Sequence, residues 1–179
     1  MAEVLPLFAP SIPETTSSYS LQAQSTRNLR FVHRVTIRQA TLADLEQLIP
    51  LCIDYCIADQ HEVDENLIRV GVHGLLESAD RGVVLVACDD SDNLIGYAAV
   101  SAGWSIEIGG ADFVLDELFV REQGHGVGSQ LVAAVESYCR SIDVRRIFLE
   151  TERPNERARQ LYSRLGFSED DSIWMSKDL

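Results

Sequence analysis

The sequence predicts a single α/β domain: a mixed central sheet flanked by helices, in the order β-α-α-β-β-β-α-β-α-β. Three observations carry that expectation. Short β-branched runs alternate with stretches whose apolar residues recur at helical spacing. The 179 residues are 46% apolar, enough for one core. From Leu115 to Leu131 an apolar strand gives way, through Gly124, Gly126 and Gly128, to an amphipathic helix.

Residues 1–30 stand apart. Pro6, Pro10 and Pro13 lie among serines and threonines without apolar periodicity, so a flexible extension is expected, with the domain spanning 31–179. Glu3, Glu14 and the lack of basic residues before Arg27 argue against a transit peptide. Val35 to Arg38 opens the domain as a short strand. Thr41 with Asp44 forms a capping-box pattern, and Leu45, Leu48, Ile49, Cys52 and Cys56 follow at helical spacing. Asp64 caps a second helix carrying Ile68, Val72, Leu75 and Leu76. Val83–Cys88 and Leu94–Val100 form a hairpin across the acidic turn 89–93. That turn fails the calcium-loop pattern, because Ile95 and Ser101 fall where Gly and Glu are required. Residues 111–120 make the strand entering the glycine loop. Leu131, Val135, Tyr138 and Ile142 share one face of the next helix. A strand over 145–151, a helix from Asn155 closed by Gly166, and a last strand at Ile173-Trp174-Met175 complete the order.

The formal charge of −13 disfavours nucleic acid and anionic membrane and favours a cationic substrate. No apolar run is long enough to span a bilayer. Cys52, Cys56, Cys88 and Cys139 show no Cys-x-x-Cys spacing, and the four histidines do not cluster. Reduced core thiols, no metal site and a cytoplasmic setting are expected. The chain is expected to be a monomer or homodimer.

The glycine loop has the makings of an anion site. Glycines let a ligand approach the backbone, and the first turn of a helix presents unpaired N–H groups at the positive end of its dipole. A P-loop would need a lysine that this turn lacks. A dinucleotide loop starting at Gly124 would need glycine where Ser129 stands. Gln123-Gly124-His125-Gly126-Val127-Gly128 instead resembles the (Gln/Arg)-x-x-Gly-x-(Gly/Ala) signature of the GNAT family of N-acetyltransferases. About thirty residues later, Asn155-Glu156-Arg157-Ala158-Arg159-Gln160-Leu161-Tyr162-Ser163-Arg164-Leu165-Gly166-Phe167 is similar to a second motif of that family, Asn-x-x-Ala-x-x-Leu-Tyr-x-x-x-Gly-Phe. The two motifs stand in the family's order, and the predicted elements follow the order of its acyl-CoA N-acyltransferase fold.

The resemblance implies acetyl-CoA as co-substrate and a primary amine as acceptor, attacked directly in a ternary complex. The alternative is a non-catalytic module that binds or senses acetyl-CoA. The resemblance places the pyrophosphate on the amides of Gln123, Gly124, His125, Gly126, Val127, Gly128 and Ser129. It places the pantetheine arm on the backbone of Leu118, Phe119 and Val120, with Asn155 as a further contact. Tyr162 is the implied acid for the departing thiolate. For the base, Asp116 ranks first by motif position, then Glu150, then Glu117. Strand alternation would point Asp116 and Glu117 to opposite faces. Val120-Arg121-Glu122-Gln123 is two residues shorter than the family's Val-x-Pro-x-x-(Arg/Gln) spacing and lacks its proline, so a register change that exchanges the two acids is open. Residues 56–82 and 101–111 are expected on the acceptor side, with Asp59, Glu62, Asp64, Glu65 and Glu107 available to greet a cation.

Overall fold

The computed structural model describes residues 35–178. The expected extension at 1–30 lies outside them. The chain forms two compact units, one ending at Leu149 and one beginning at Glu150.

The first unit holds a five-stranded sheet of β1 (Thr36–Gln39), β2 (Gly82–Cys88), β3 (Leu94–Ser105), β4 (Gly110–Val120) and β5 (Arg146–Phe148). The strands lie side by side in chain order. β1 to β4 are antiparallel neighbours, and β5 joins β4 in parallel, so the sheet is mixed. The β2–β3 turn is held by Asp89, whose Oδ1 accepts from the Ser91 and Asn93 amides at 2.8 and 2.9 Å. This local capture of backbone donors gives Asp89 a structural role in the turn.

Helices α1 (Leu45–Ala58) and α2 (Glu65–Glu77) also belong to the first unit, as does α3 (Val127–Ser141). Asp64 caps α2 as expected, accepting from the Asn66 and Leu67 amides. Every residue of β2 is buried, because helices cover both faces of the sheet there. Val84, Val86 and Cys88 join Leu48, Leu51 and Cys52 of α1 and Tyr97 and Ala99 of β3 in one cluster, on which Ile68, Val72, Leu75 and Leu76 of α2 pack. Alternation turns Val83, Leu85 and Ala87 to the other face. There α3 packs on the sheet with Leu131, Val132 and Val135 fully buried. Each such aliphatic side chain contributes roughly 1.5–3 kcal/mol of burial.

The capping box forms, and it has a second role. The Asp44 carboxylate accepts from the Thr41 amide at 2.8 Å and from both terminal nitrogens of Arg38 at 2.9 and 2.7 Å. Asp44 is only 5% exposed. Its pKa is lowered chiefly by the Arg38 hydrogen bonds, so β1 and the entry to α1 are tied by a part-buried ion pair. All four cysteines are buried and free. Burial pushes the Cys52 and Cys139 thiols up to about 12, which leaves both neutral and unreactive.

The second unit holds α4 (Glu156–Arg164). Asn155 caps it, accepting from the Ala158 amide at 3.2 Å, and Gly166 follows its C-terminus at φ +92°. Two expectations need correction. The strand over 145–151 is only Arg146–Phe148. No strand forms at Ile173-Trp174-Met175, so the observed order is β-α-α-β-β-β-α-β-α. Those three apolar residues are flanked by Asp171-Ser172 and Ser176-Lys177. The run falls short of the roughly 5–6 residues of a typical strand, and Ile173 and Met175 stay about nine-tenths exposed.

Candidate active site

β4 delivers the chain to the glycine loop, and α3 leaves it. Gly126 is the N-cap of α3 with φ +78°, and Gly124 has φ +96°. Both values lie in the left-handed region that glycine adopts without strain. An added Cβ at either position would meet no atom within 4 Å, so the loop presents open backbone. Residues 121–126 are exposed, while Val127 is buried and anchors the helix start. The first helical bond is Gln130 N–H to Gly126 C=O at 3.1 Å. The amides of Val127, Gly128 and Ser129 precede it and lack intrahelical acceptors. His125 stands in the exposed part of the loop.

β4 itself is half paired. β5 bonds only to Asp112, Phe113 and Val114. From Leu115 to Val120 the edge of β4 away from β3 carries no strand among the described residues. The backbone of Leu118, Phe119 and Val120 therefore has one edge paired with β3 and no strand on the other edge among the described residues.

The pairing of β4 with β3 breaks its alternation at the acids. Leu115 faces Val100 and Glu117 faces Ala99, which leaves Asp116 as the extra residue of a β-bulge. Glu117 is thereby reset to the face of Tyr97 and Ala99, the face covered by α1 and α2. The expectation that Asp116 and Glu117 point apart is overturned, because both line one cleft.

That cleft has a volume of about 380 Å³. Its walls are Leu48 and Cys52 of α1, Leu67, Ile68, Gly71, Val72 and Leu75 of α2 and Val84 of β2, and Tyr97, Ala99 and Ser101 of β3 complete it beside the two acids. The Tyr97 hydroxyl donates to Glu117 Oε2 at 2.5 Å. Tyr97 is buried, and its phenol is held well above the ordinary range, first by burial and then by the Glu117 charge. Burial raises the pKa of Glu117, and the Tyr97 hydrogen bond opposes the rise. Asp116 is reached by solvent, yet the crowding of its carboxyl by the cleft raises its pKa as well. Two carboxyls in a mostly apolar cleft, each displaced toward neutrality, form the arrangement expected of a proton-accepting site.

Two further expected residues, Glu150 and Tyr162, belong to the second unit. Glu150 is exposed and opens the second unit. Tyr162 lies on α4, edge-on to Phe167 at 5.7 Å between ring centroids, and burial pushes its phenol up to about 12. The acidic residues expected at the acceptor side do not line the cleft. Asp64 is spent on its cap, Glu65 bridges Arg69, and Asp59 pairs with His61. Of the segments expected there, α2 and Ser101 do contribute. Tyr97 was not foreseen, because in sequence it reads as one more apolar strand residue.

A half-paired mixed sheet, a glycine turn at a helix N-terminus and a cleft floored by two acids define an α/β protein with an anion-binding turn beside an acidic cleft. Residues 46–167 match the model of the acetyltransferase (GNAT) family, and the chain belongs to that family. It is an acyltransferase, and it uses acetyl-CoA. An uncharacterized N-acetyltransferase, YhfO of Bacillus subtilis (strain 168), is 27% identical over 138 residues, covering 76% of this chain and 91% of that protein. An integron cassette protein from a salt-marsh metagenome superposes with a TM-score of 0.71 at 25% identity, covering 80% of this chain and 90% of its own. An aminoglycoside N-acetyltransferase solved in complex with CoA superposes with a TM-score of 0.71 at 20% identity, covering 84% of this chain and 99% of that one, a likeness of fold. No helix among the described residues is long and apolar enough to cross a membrane.

Proposed function

We propose that this enzyme transfers the acetyl group of acetyl-CoA to a primary amine held in the cleft between α1, α2 and β4, with Glu117 as the base. The observation that carries this reading is the bulge at Asp116, which sets both carboxyls on one apolar-walled face.

The glycine loop fits the co-substrate. The amides of Gln123 to Ser129 offer donors and a positive helix end to the pyrophosphate, and the open glycines let it approach. The free edge of β4 at Leu118, Phe119 and Val120 fits an extended arm that pairs with backbone. Asn155 accepts the Ala158 amide on its side-chain oxygen, which leaves its amide nitrogen available as a donor to a ligand.

The acceptor arrives as an ammonium, and the carboxylates attract it. Glu117, oriented by Tyr97, takes one proton from it. The freed nitrogen attacks the acetyl carbonyl carbon. The N–C bond forms and the C–S bond breaks. Tyr162 donates to the departing thiolate, and the nitrogen's second proton replaces the one the phenol gives. The products are the N-acetyl amine, free CoA thiol and one proton released through Glu117. A phenol at about 12 lies above a thiol of about 8.5. Donation therefore needs that refilling proton, and a concerted exchange supplies it. Glu117 displaces Asp116 from first rank because its hydrogen bond to Tyr97 fixes its direction. Asp116 then anchors the ammonium, and exposed Glu150 takes no proposed part.

The test has two readouts. Acetyl-CoA should raise the melting temperature, and an amine panel should release CoA thiol with acetyl-CoA present. Acetyl-CoA binding without thiol release from any primary amine would overturn the acceptor reading.

A further inference from the structure

The cleft says more about the acceptor than that it is an amine. Charge in it is confined to one place. Among the described residues that line it, Asp116 and Glu117 are the only charged side chains, and both come from β4. The opposite wall, from α1 and α2, is aliphatic: Leu48, Leu67, Ile68, Val72 and Leu75. The only neutral hydroxyls are Tyr97, already donated to Glu117, and Ser101. At about 380 Å³ the space is small, near the lower end of the roughly 300–1,000 Å³ of ligand clefts.

From this division we infer that the acceptor is a small monoamine with a single apolar body, aryl or branched alkyl, attached near its primary ammonium. The inference rests on the proposed transfer at Glu117 and adds the substrate class. The ammonium sits against the two carboxylates. The body lies on the α1–α2 wall and displaces water from it. A second ammonium, or the many hydroxyls of a sugar, would meet aliphatic carbon there and lose its hydration without a partner, which is unfavourable for any polar group and more so for a charge. A diamine, a polyamine, an aminoglycoside or a peptide N-terminus would need partners that this wall does not supply.

One residue allows the wall to be probed without disturbing the fold. Gly71 lines the cleft in the middle of α2, and a Cβ there would meet nothing within 4 Å. Gly71→Leu fills that open space and favours the helix, since glycine is the poorest helix former after proline.

The experiment compares phenylethylamine, ethylamine, cadaverine, an aminoglycoside and a short peptide by CoA thiol release, with acetyl-CoA binding followed by thermal shift. Phenylethylamine is expected to exceed cadaverine, the aminoglycoside and the peptide in kcat/KM by at least about tenfold. Gly71→Leu is expected to keep the acetyl-CoA shift and lower the phenylethylamine-to-ethylamine ratio by about tenfold or more. If amines are acetylated but a polycationic or peptide acceptor is preferred, the substrate class is wrong and the transfer reading stands. If Gly71→Leu leaves the ratio unchanged, the apolar body does not lie on α2, and the inference fails. If acetyl-CoA binds and no primary amine reacts, the transfer reading fails and takes the inference with it.

Discussion

Tyr97→Phe removes one hydroxyl from the floor of the cleft and little else. The ring keeps its buried place and its tilted contact with Phe119, 6.4 Å between centroids. What is lost is the 2.5 Å donation to Glu117. That bond favours the charged carboxylate and lowers a pKa that burial has raised, so its removal lets the pKa climb further. A hydrogen bond to a charged group is worth about 1.5–3 kcal/mol. At 1.36 kcal/mol per pH unit this corresponds to about 1–2 units. The acidic limb of kcat/KM, measured by thiol release across pH, should move upward by that amount, with the alkaline plateau largely kept. In a Glu117→Gln background the same substitution should move nothing. A limb that stays in place in Tyr97→Phe, or moves down, would show that Glu117 is not the proton acceptor. Asp116, which has no bond to Tyr97, would return to first rank.

Other perturbations probe the remaining parts. Gly126→Asp should weaken acetyl-CoA by about 5- to 1,000-fold, since a unit charge about 4 Å from phosphate costs about 1–4 kcal/mol between bulk-water and near-surface screening. Gly126→Ala carries a similar left-handed strain of about 1–2 kcal/mol without the charge, so calorimetry on the pair separates repulsion from strain. Asp44→Asn should cost about 1.5–3 kcal/mol by removing the charge that accepts both Arg38 bonds and leaving Arg38 only the exposed Asp92, a fall of about 3–12 °C in Tm. The Asp44 pKa is lowered in the fold, so this stabilisation is present at neutral pH and lost as pH falls through the folded value, and the variant's deficit should shrink in acid. Tyr162→Phe should slow turnover by about 10²–10⁴-fold with acetyl-CoA binding intact, whereas wild-type turnover would return the phenol to a packing role. Glu117→Gln should abolish the acidic limb of kcat/KM and raise Tm at neutral pH.

Where the sequence was legible, periodicity or local chemistry carried the signal. The apolar stripes of α1, α2 and α3, the Asp89 turn and the Asp64 cap depend on residues within a few positions of each other. The glycine loop was equally readable, since positive φ at Gly124 and Gly126 is what those glycines permit. The acids were misread because a bulge is a property of a ladder. Nothing within β4 alone fixes how Glu117 registers against Ala99. One trace was present: two consecutive acids in an apolar strand break the period of two. The Tyr97–Glu117 bond joins residues twenty positions apart, and the α1–α2 wall joins segments whose apolar residues already had a sufficient explanation as core. The last strand failed for the opposite reason, an apolar run too short to hold a ladder.

The expected gain in stability from Glu117→Gln follows from the sign of its pKa shift. A carboxyl whose pKa is raised on folding binds its proton more tightly in the native state than in the unfolded chain. Stability then falls as pH rises through the unfolded value, and the loss is complete above the folded one. At neutral pH charged Glu117 therefore weighs against the fold, and Asp116, also raised, does the same. Glutamine keeps an acceptor for Tyr97 and removes the charge, so its advantage should appear near neutrality and vanish in acid. A structural carboxylate shows the reverse, as Asp44 does beside Arg38. Two acids that destabilise the fold on one face of a small apolar cleft make sense if the cleft's occupant brings the compensating positive charge. On the proposed transfer that occupant is the ammonium of the acceptor amine, and its binding should raise Tm less in Glu117→Gln than in the wild type.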